Sequence, residues 1–99
     1  MIGFERIGGF DWDAGNTRKN ERHGATQAEA EQAFFDPRLL VATDAAHSSR
    51  EPRLHALGAT AAGRLLHVTF TLRLSGTRIR VISARDMSRK ERASYEQKT

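Results

Sequence analysis

With 99 residues, 38% of them apolar and seven aromatic, the chain has material for one small domain spanning 1–99 and a single core. It contains no cysteine, which excludes a disulfide framework, a thiolate nucleophile and a thiolate metal site. The net charge of +4 is uneven: residues 1–50 carry six Lys/Arg against eight Asp/Glu, and residues 51–99 carry ten against four.

Such a basic half suits a polyanionic partner, or is simply a solvated surface. No apolar run is long enough for a transmembrane helix or a signal-peptide core, so no membrane contact and a cytoplasmic setting are expected.

In chain order, Phe10-Asp-Trp12 reads as a short strand whose two aromatics face the same way and anchor the core. Asp13 to Asn16 is turn chemistry, and Asn16 is an N-cap for a short polar helix, Thr17 to His23, closed by Gly24. Lys19 and His23 share a face of that helix at i, i+4. They are either a solvated pair or a phosphate contact with a proton-transfer group. Thr26-Gln-Ala-Glu29 is a capping box that starts a second helix, about Gln27 to Phe35, with Ala30, Ala33 and Phe34 as its apolar stripe; Asp36-Pro37 stops it. Leu39 to Thr43 is a strand. The polar loop that follows holds His47 and Ser48 without the surroundings of a nucleophile elbow.

Arg53 to Thr60 is the next strand, with Arg53, His55 and Leu57 on one face. Arg64 to Arg85 then forms a hairpin broken at Ser75-Gly76. Its first strand puts Leu66, Val68, Phe70 and Leu72 on a burying face and His67, Thr69, Thr71 and Arg73 on the other. Its second strand sets Ile79 and Val81 against Arg78 and Arg80, with Arg85 just past the strand end. Ser88 to Glu91 is another capping box and opens a C-terminal helix to about Tyr95. The pattern predicts an α+β domain: two N-terminal helices on one face of an antiparallel sheet of four to five strands, a C-terminal helix, and the opposite sheet face left open.

That open face would carry Arg53, His55, His67, Thr69, Thr71, Arg73, Arg78 and Arg80. The four histidines are dispersed without zinc-ligand spacing, and no phosphate-binding glycine loop or carboxylate pair stands out, so neither a metal nor a cofactor is expected. Two readings fit this set of side chains. One is binding of a polyanion without catalysis. The other is metal-free RNA cleavage, in which the ribose 2′-OH is the nucleophile, arginines hold and neutralise the phosphate, and a histidine or lysine moves a proton.

The residues Phe10-Asp-Trp-Asp13, Gly15-Asn16, Lys19-Asn20, His23-Gly24, Phe34-Phe35-Asp36-Pro37, Asp44 with His47-Ser48, Glu51-Pro-Arg53 and above all Arg80-Val-Ile-Ser-Ala-Arg85-Asp-Met-Ser-Arg-Lys-Glu91-Arg give the chain a resemblance to the BrnT family. These are ribonuclease toxins of type II toxin–antitoxin pairs. The resemblance implies a RelE-like fold and metal-independent cleavage of mRNA. It also implies a cognate BrnA-like antitoxin of ribbon-helix-helix type, with promoter DNA bound only through the antitoxin complex. It points to Arg80 and Arg85 as catalytic phosphate-holding groups and to Lys19 or His23 as the proton-transfer helper. Arg73, Arg64, Arg78, Arg53 and Trp12 would be RNA contacts. The rival is a non-catalytic family member that binds antitoxin or nucleic acid.

Overall fold

A computed structural model describes residues 7–12, 24–44, 46 and 52–97. The elements are β1 (Gly9–Phe10), α1 (Gln27–Ala33), β2 (Leu40–Thr43), β3 (Arg53–Ala59), β4 (Leu65–Arg73), β5 (Arg78–Asp86) and α2 (Arg89–Gln97). They build one five-stranded sheet in the order β1-β5-β4-β3-β2. Strands β2 to β5 form an antiparallel meander, and β1 runs parallel to β5.

The expected architecture is therefore corrected while the α+β class holds. The sheet is mixed and not antiparallel, because the two-residue β1 joins β5 parallel, and so short a strand carries no periodicity from which its partner could be read. Among the described residues the helices are one early (α1) and one C-terminal (α2), not two N-terminal helices sharing a face. The helix expected over Thr17 to His23 lies outside the described residues. At one end of the far face, Glu91 of α2 reaches His67 and Arg85.

Helix α1 begins where the capping box places it. Thr26 Oγ1 accepts from the Glu29 N–H at 3.1 Å, and Glu29 Oε1 accepts from the Thr26 N–H at 3.0 Å. Its buried face is only Ala30 and Ala33, which lets the helix lie close on the sheet. A Cβ at Gly58 of β3 would stand 2.4 Å from the Ala33 carbonyl oxygen, so glycine is required there by space. Beneath α1, Leu54 and Ala56, Leu66, Val68 and Phe70, and Ile79, Val81 and Ala84 make the core. Phe34 meets Phe70 edge-on at 5.0 Å and tilts against Phe10 at 5.6 Å, joining α1, β4 and β1 through aromatic contacts. Phe70 is fully buried at the centre of this group. Phe70→Ala should cost about 3–5 kcal/mol in denaturant unfolding, and a loss below about 1 kcal/mol would mean the core is not organised around it.

Two further features position the other face. In the β4–β5 register Thr69 pairs with Ser83 but Phe70 pairs with Val81, so Ile82 is an extra residue and β5 carries a bulge. In a regular strand, residues 80 and 85 would point to opposite faces. The bulge shifts the phase, and Arg80 (opposite Thr71) and Arg85 (opposite His67) come to share one. Helix α2 is started by reciprocal bonds between Ser88 and Glu91, and is fixed by Tyr95, whose hydroxyl donates to Asp36 Oδ2.

Candidate functional site

The sheet face opposite α1 is a grid set by strand register. Arg73 lies opposite Arg78; Arg53, Thr71 and Arg80 line up across three strands; His55, Thr69 and Ser83 form the next row; Leu57, His67 and Arg85 form the last. Arg53, Arg73, Arg78, Arg80 and Arg85 are thus on one face, as the strand periodicity predicts for the first four. Arg85 lies inside β5 and not beyond its end. Arg80 and Arg85 are two rows apart, about 13 Å along the strand at about 3.3 Å per residue, and they bracket Thr69 and Ser83.

Both arginines have carboxylate neighbours. Asp11 follows β1 and brings Oδ2 to 3.5 Å from Arg80 Nη1. Arg85 donates Nη1 and Nη2 to the two oxygens of Glu91 at 2.8 and 2.9 Å, a bidentate pair. Glu91 is held in place because the Ser88 N–H donates to it at 2.8 Å. The Arg85 fork, against an opposing effect of burial and with help from Ser88, holds the Glu91 carboxyl at about 2. Since this lies below the ordinary 4.5, the pair stabilises the fold fully above about pH 4.5 and loses that contribution as pH falls toward 2. Arg85 is 45% exposed, which screens the pair, so Glu91→Gln should cost about 1 kcal/mol at pH 7. Urea unfolding at pH 7 and pH 3 checks this: the gap between variant and wild type should shrink in acid, and a pH-independent gap would contradict it.

Beside this pair, four side chains are strung across the sheet. His55 Nε2 lies 2.8 Å from Asp44 Oδ2, His55 Nδ1 lies 2.9 Å from His67 Nε2 and 3.1 Å from Thr69 Oγ1, and His67 Nδ1 lies 3.1 Å from Glu91 Oε2. The last contact has the distance of an ion pair but not the geometry of a hydrogen bond, and His67 Nδ1 is left without a hydrogen-bond partner. Burial pulls the His67 imidazole below its usual value, Glu91 pushes it up, and Arg85 and His55 pull it down. A cleft of about 470 Å³ opens here, with Leu40, Val41 and Leu57 as apolar wall and His55, His67 and Glu91 as polar wall. Among the described residues no three His, Asp or Glu side chains gather around one point as metal ligands would.

Two of the expected RNA contacts sit elsewhere. Arg64 precedes β4 and donates Nε to Asp86 Oδ1 at 2.7 Å and Nη1 to the Gly24 carbonyl at 2.6 Å and to Glu29 at 3.2 Å. It fastens the start of α1 to the end of β5 on the opposite side of the sheet. Trp12 packs against the core on the α1 side and donates Nε1 to Glu31 Oε2 at 2.7 Å, so its ring is not beside the arginines. Lys19 and His23 lie outside the described residues. Sequence reading placed His55 and His67 on the right face but did not join them with Asp44. The signal was the register of β3 on β4, which the short turn at residues 60–64 fixes and which sets the two imidazoles diagonally adjacent.

The family model that describes "ribonuclease toxin, BrnT, of type II toxin-antitoxin system" matches residues 12–91. No curated protein matches the sequence. No described helix is long and apolar enough to cross a membrane.

Proposed function

Because the chain belongs to the BrnT family of type II toxin–antitoxin ribonuclease toxins, we propose that it is a metal-independent endoribonuclease that cleaves mRNA through attack of the ribose 2′-OH on the adjacent phosphate. The observation that supports this most is the bulge at Ile82, which sets Arg80 and Arg85 on the face that already carries Arg53, Arg73, Arg78 and the imidazoles. Guanidinium forks match phosphate oxygens and neutralise charge that grows in the transition state. Arg85, beside His67, takes the scissile phosphate; Arg80, two rows away, shares in that charge and steers the linkage onto the sheet. Arg73, Arg53 and Arg78 are auxiliary contacts. Glu91 occupies the Arg85 fork in the free protein and gives way to the phosphate. Family membership implies an antitoxin partner, and we assign it to a BrnA-like ribbon-helix-helix protein that brings the pair to promoter DNA in the cytoplasm.

The Glu91–Arg85 pair favours a second reading, in which the chain binds antitoxin or nucleic acid without cutting. Expression without antitoxin separates the two. The wild type should stop growth and fragment transcripts, and Arg80→Ala with Arg85→Ala should do neither; intact transcripts under the wild type would leave the binding module standing. Binding of a non-cleavable, fully 2′-deoxy oligonucleotide should also weaken with salt. With about three phosphate contacts, log affinity against log salt should slope near −2, and a flat line would mean that this face is not where the strand binds.

A further inference from the structure

We infer that His67 Nδ1 is the general base that accepts the 2′-OH proton, and that Asp44 and His55 are positioning residues that leave this nitrogen, and not Nε2, unprotonated. The inference rests on the ribonuclease reading above.

The direction of the chain follows from what each atom can do. A carboxylate only accepts, so His55 Nε2, 2.8 Å from Asp44 Oδ2, carries a hydrogen. With its one hydrogen on Nε2, His55 keeps its lone pair on Nδ1, which accepts the His67 Nε2 hydrogen at 2.9 Å, while the Thr69 hydroxyl lies 3.1 Å from the same nitrogen. The His67 hydrogen is therefore on Nε2, and its lone pair is on Nδ1. That nitrogen is the buried side-chain atom without a partner among the described residues, and it faces another acceptor, Glu91 Oε2, at 3.1 Å. Glu91 covers this nitrogen in the free protein, and its departure from the Arg85 fork uncovers Nδ1 for an incoming hydroxyl. A serine-protease triad uses the same device, a carboxylate fixing the tautomer of a histidine, and here one more imidazole is interposed.

The neighbouring geometry supplies the rest. One Glu91 oxygen is 2.9 Å from Arg85 Nη2 and 3.1 Å from His67 Nδ1, so an oxyanion already sits between fork and imidazole. A phosphoryl oxygen that takes this position brings its own ribose 2′-OH beside Nδ1, and the apolar wall of the cleft covers the sugar and base. In the step, the O2′–H bond breaks and its proton passes to Nδ1. The O2′–P bond forms as P–O5′ breaks, and the leaving O5′ takes a proton from water. The products are a 2′,3′-cyclic phosphate and a 5′-hydroxyl, and the imidazolium returns its proton to the hydroxide. Burial, with Arg85 and His55, keeps His67 neutral at neutral pH against the pull of Glu91. Protonation of the chain would turn Nδ1 into a donor toward Glu91 and remove the base.

The test is cleavage of an RNA oligonucleotide and of a uridine 3′-(4-nitrophenyl phosphate), whose leaving group needs no proton, from pH 5 to 9. His67→Gln keeps a donor toward His55 but has no base. It should lower both rates about 10²–10⁴-fold and abolish the acid limb of the pH profile, while binding of the 2′-deoxy oligonucleotide stays within about threefold. Asp44→Asn should keep binding and shift the acid limb. If wild type cleaves and His67→Gln cleaves within about threefold of it with the same profile, the base is elsewhere and the inference falls while the ribonuclease reading stands. If wild type leaves RNA intact, both fall. Should His67→Gln lose its cooperative thermal transition, the wild-type profile decides: a rate that falls only below the ordinary imidazole range supports the assignment, and a rate flat to pH 5 overturns it.

Discussion

Arg85→Ala should lower the rate of RNA cleavage by about 10²–10³-fold, the loss that follows removal of one preorganised donor to a developing oxyanion. The variant changes more than one thing, because it also leaves Glu91, 25% exposed and held by Ser88, as an unpaired anion where the phosphate must come. The double variant Arg85→Ala, Glu91→Gln separates the two effects. If the guanidinium acts on the transition state, the double variant stays within about tenfold of Arg85→Ala. If the loss is mainly repulsion by the freed carboxylate, the double variant recovers most of the activity. Arg85→Lys keeps the charge but not the fork, and should recover only part of the rate. Glu91→Gln alone weakens the competitor for the fork and should tighten binding of the 2′-deoxy oligonucleotide; unchanged or weaker binding would mean that Glu91 and phosphate do not compete for Arg85.

Gly58→Ala should be among the most damaging single-methyl changes in the chain. The added Cβ would lie 2.4 Å from the Ala33 carbonyl oxygen, 3.1 Å from its carbon and 3.1 Å from Leu39 Cδ1. Two of these are backbone atoms of α1, so the helix itself must move off β3 and take Ala30, Ala33 and Phe34 with it. The expected cost is about 3 kcal/mol, or a fall of about 12–24 °C in melting temperature for a domain of this size. Gly63→Ala is the matched control. It has φ +87° with nothing within 4 Å, so its cost is conformational alone, about 1–2 kcal/mol. If Gly58→Ala melts no lower than Gly63→Ala, the close seating of α1 on β3 is wrong.

Much of this scaffold was legible residue by residue because local chemistry decides it. Thr26 with Glu29 and Ser88 with Glu91 mark helix starts through bonds closed within four residues. The alternation in 53–59 and 65–73 separates Phe70 and Val68 from Thr69 and His67 without further information. What failed to show depends on pairing. Nothing in Arg-Val-Ile-Ser-Ala-Arg announces that Ile82 will be skipped, and strict alternation across it sends Arg85 to the wrong face. The parallel seat of β1 depends on where β5 ends up in space, and it alone brings Asp11 to Arg80. The resemblance implies an RNA contact at Arg64, and in the structure its guanidinium bonds Asp86, the Gly24 carbonyl and Glu29, partners brought together only by the folded chain. Trp12 was expected both as core and as RNA contact, and its bond to Glu31 places it with the core.

Purified protein incubated with end-labelled RNA in excess chelator tests the central claim most directly. The account predicts fragments that end in 2′,3′-cyclic phosphate and 5′-hydroxyl, no cut on the 3′ side of any single 2′-deoxy position, and no fragments from Arg80→Ala with Arg85→Ala. RNA left whole until a divalent ion is added, or fragments bearing 5′-phosphates, would contradict it.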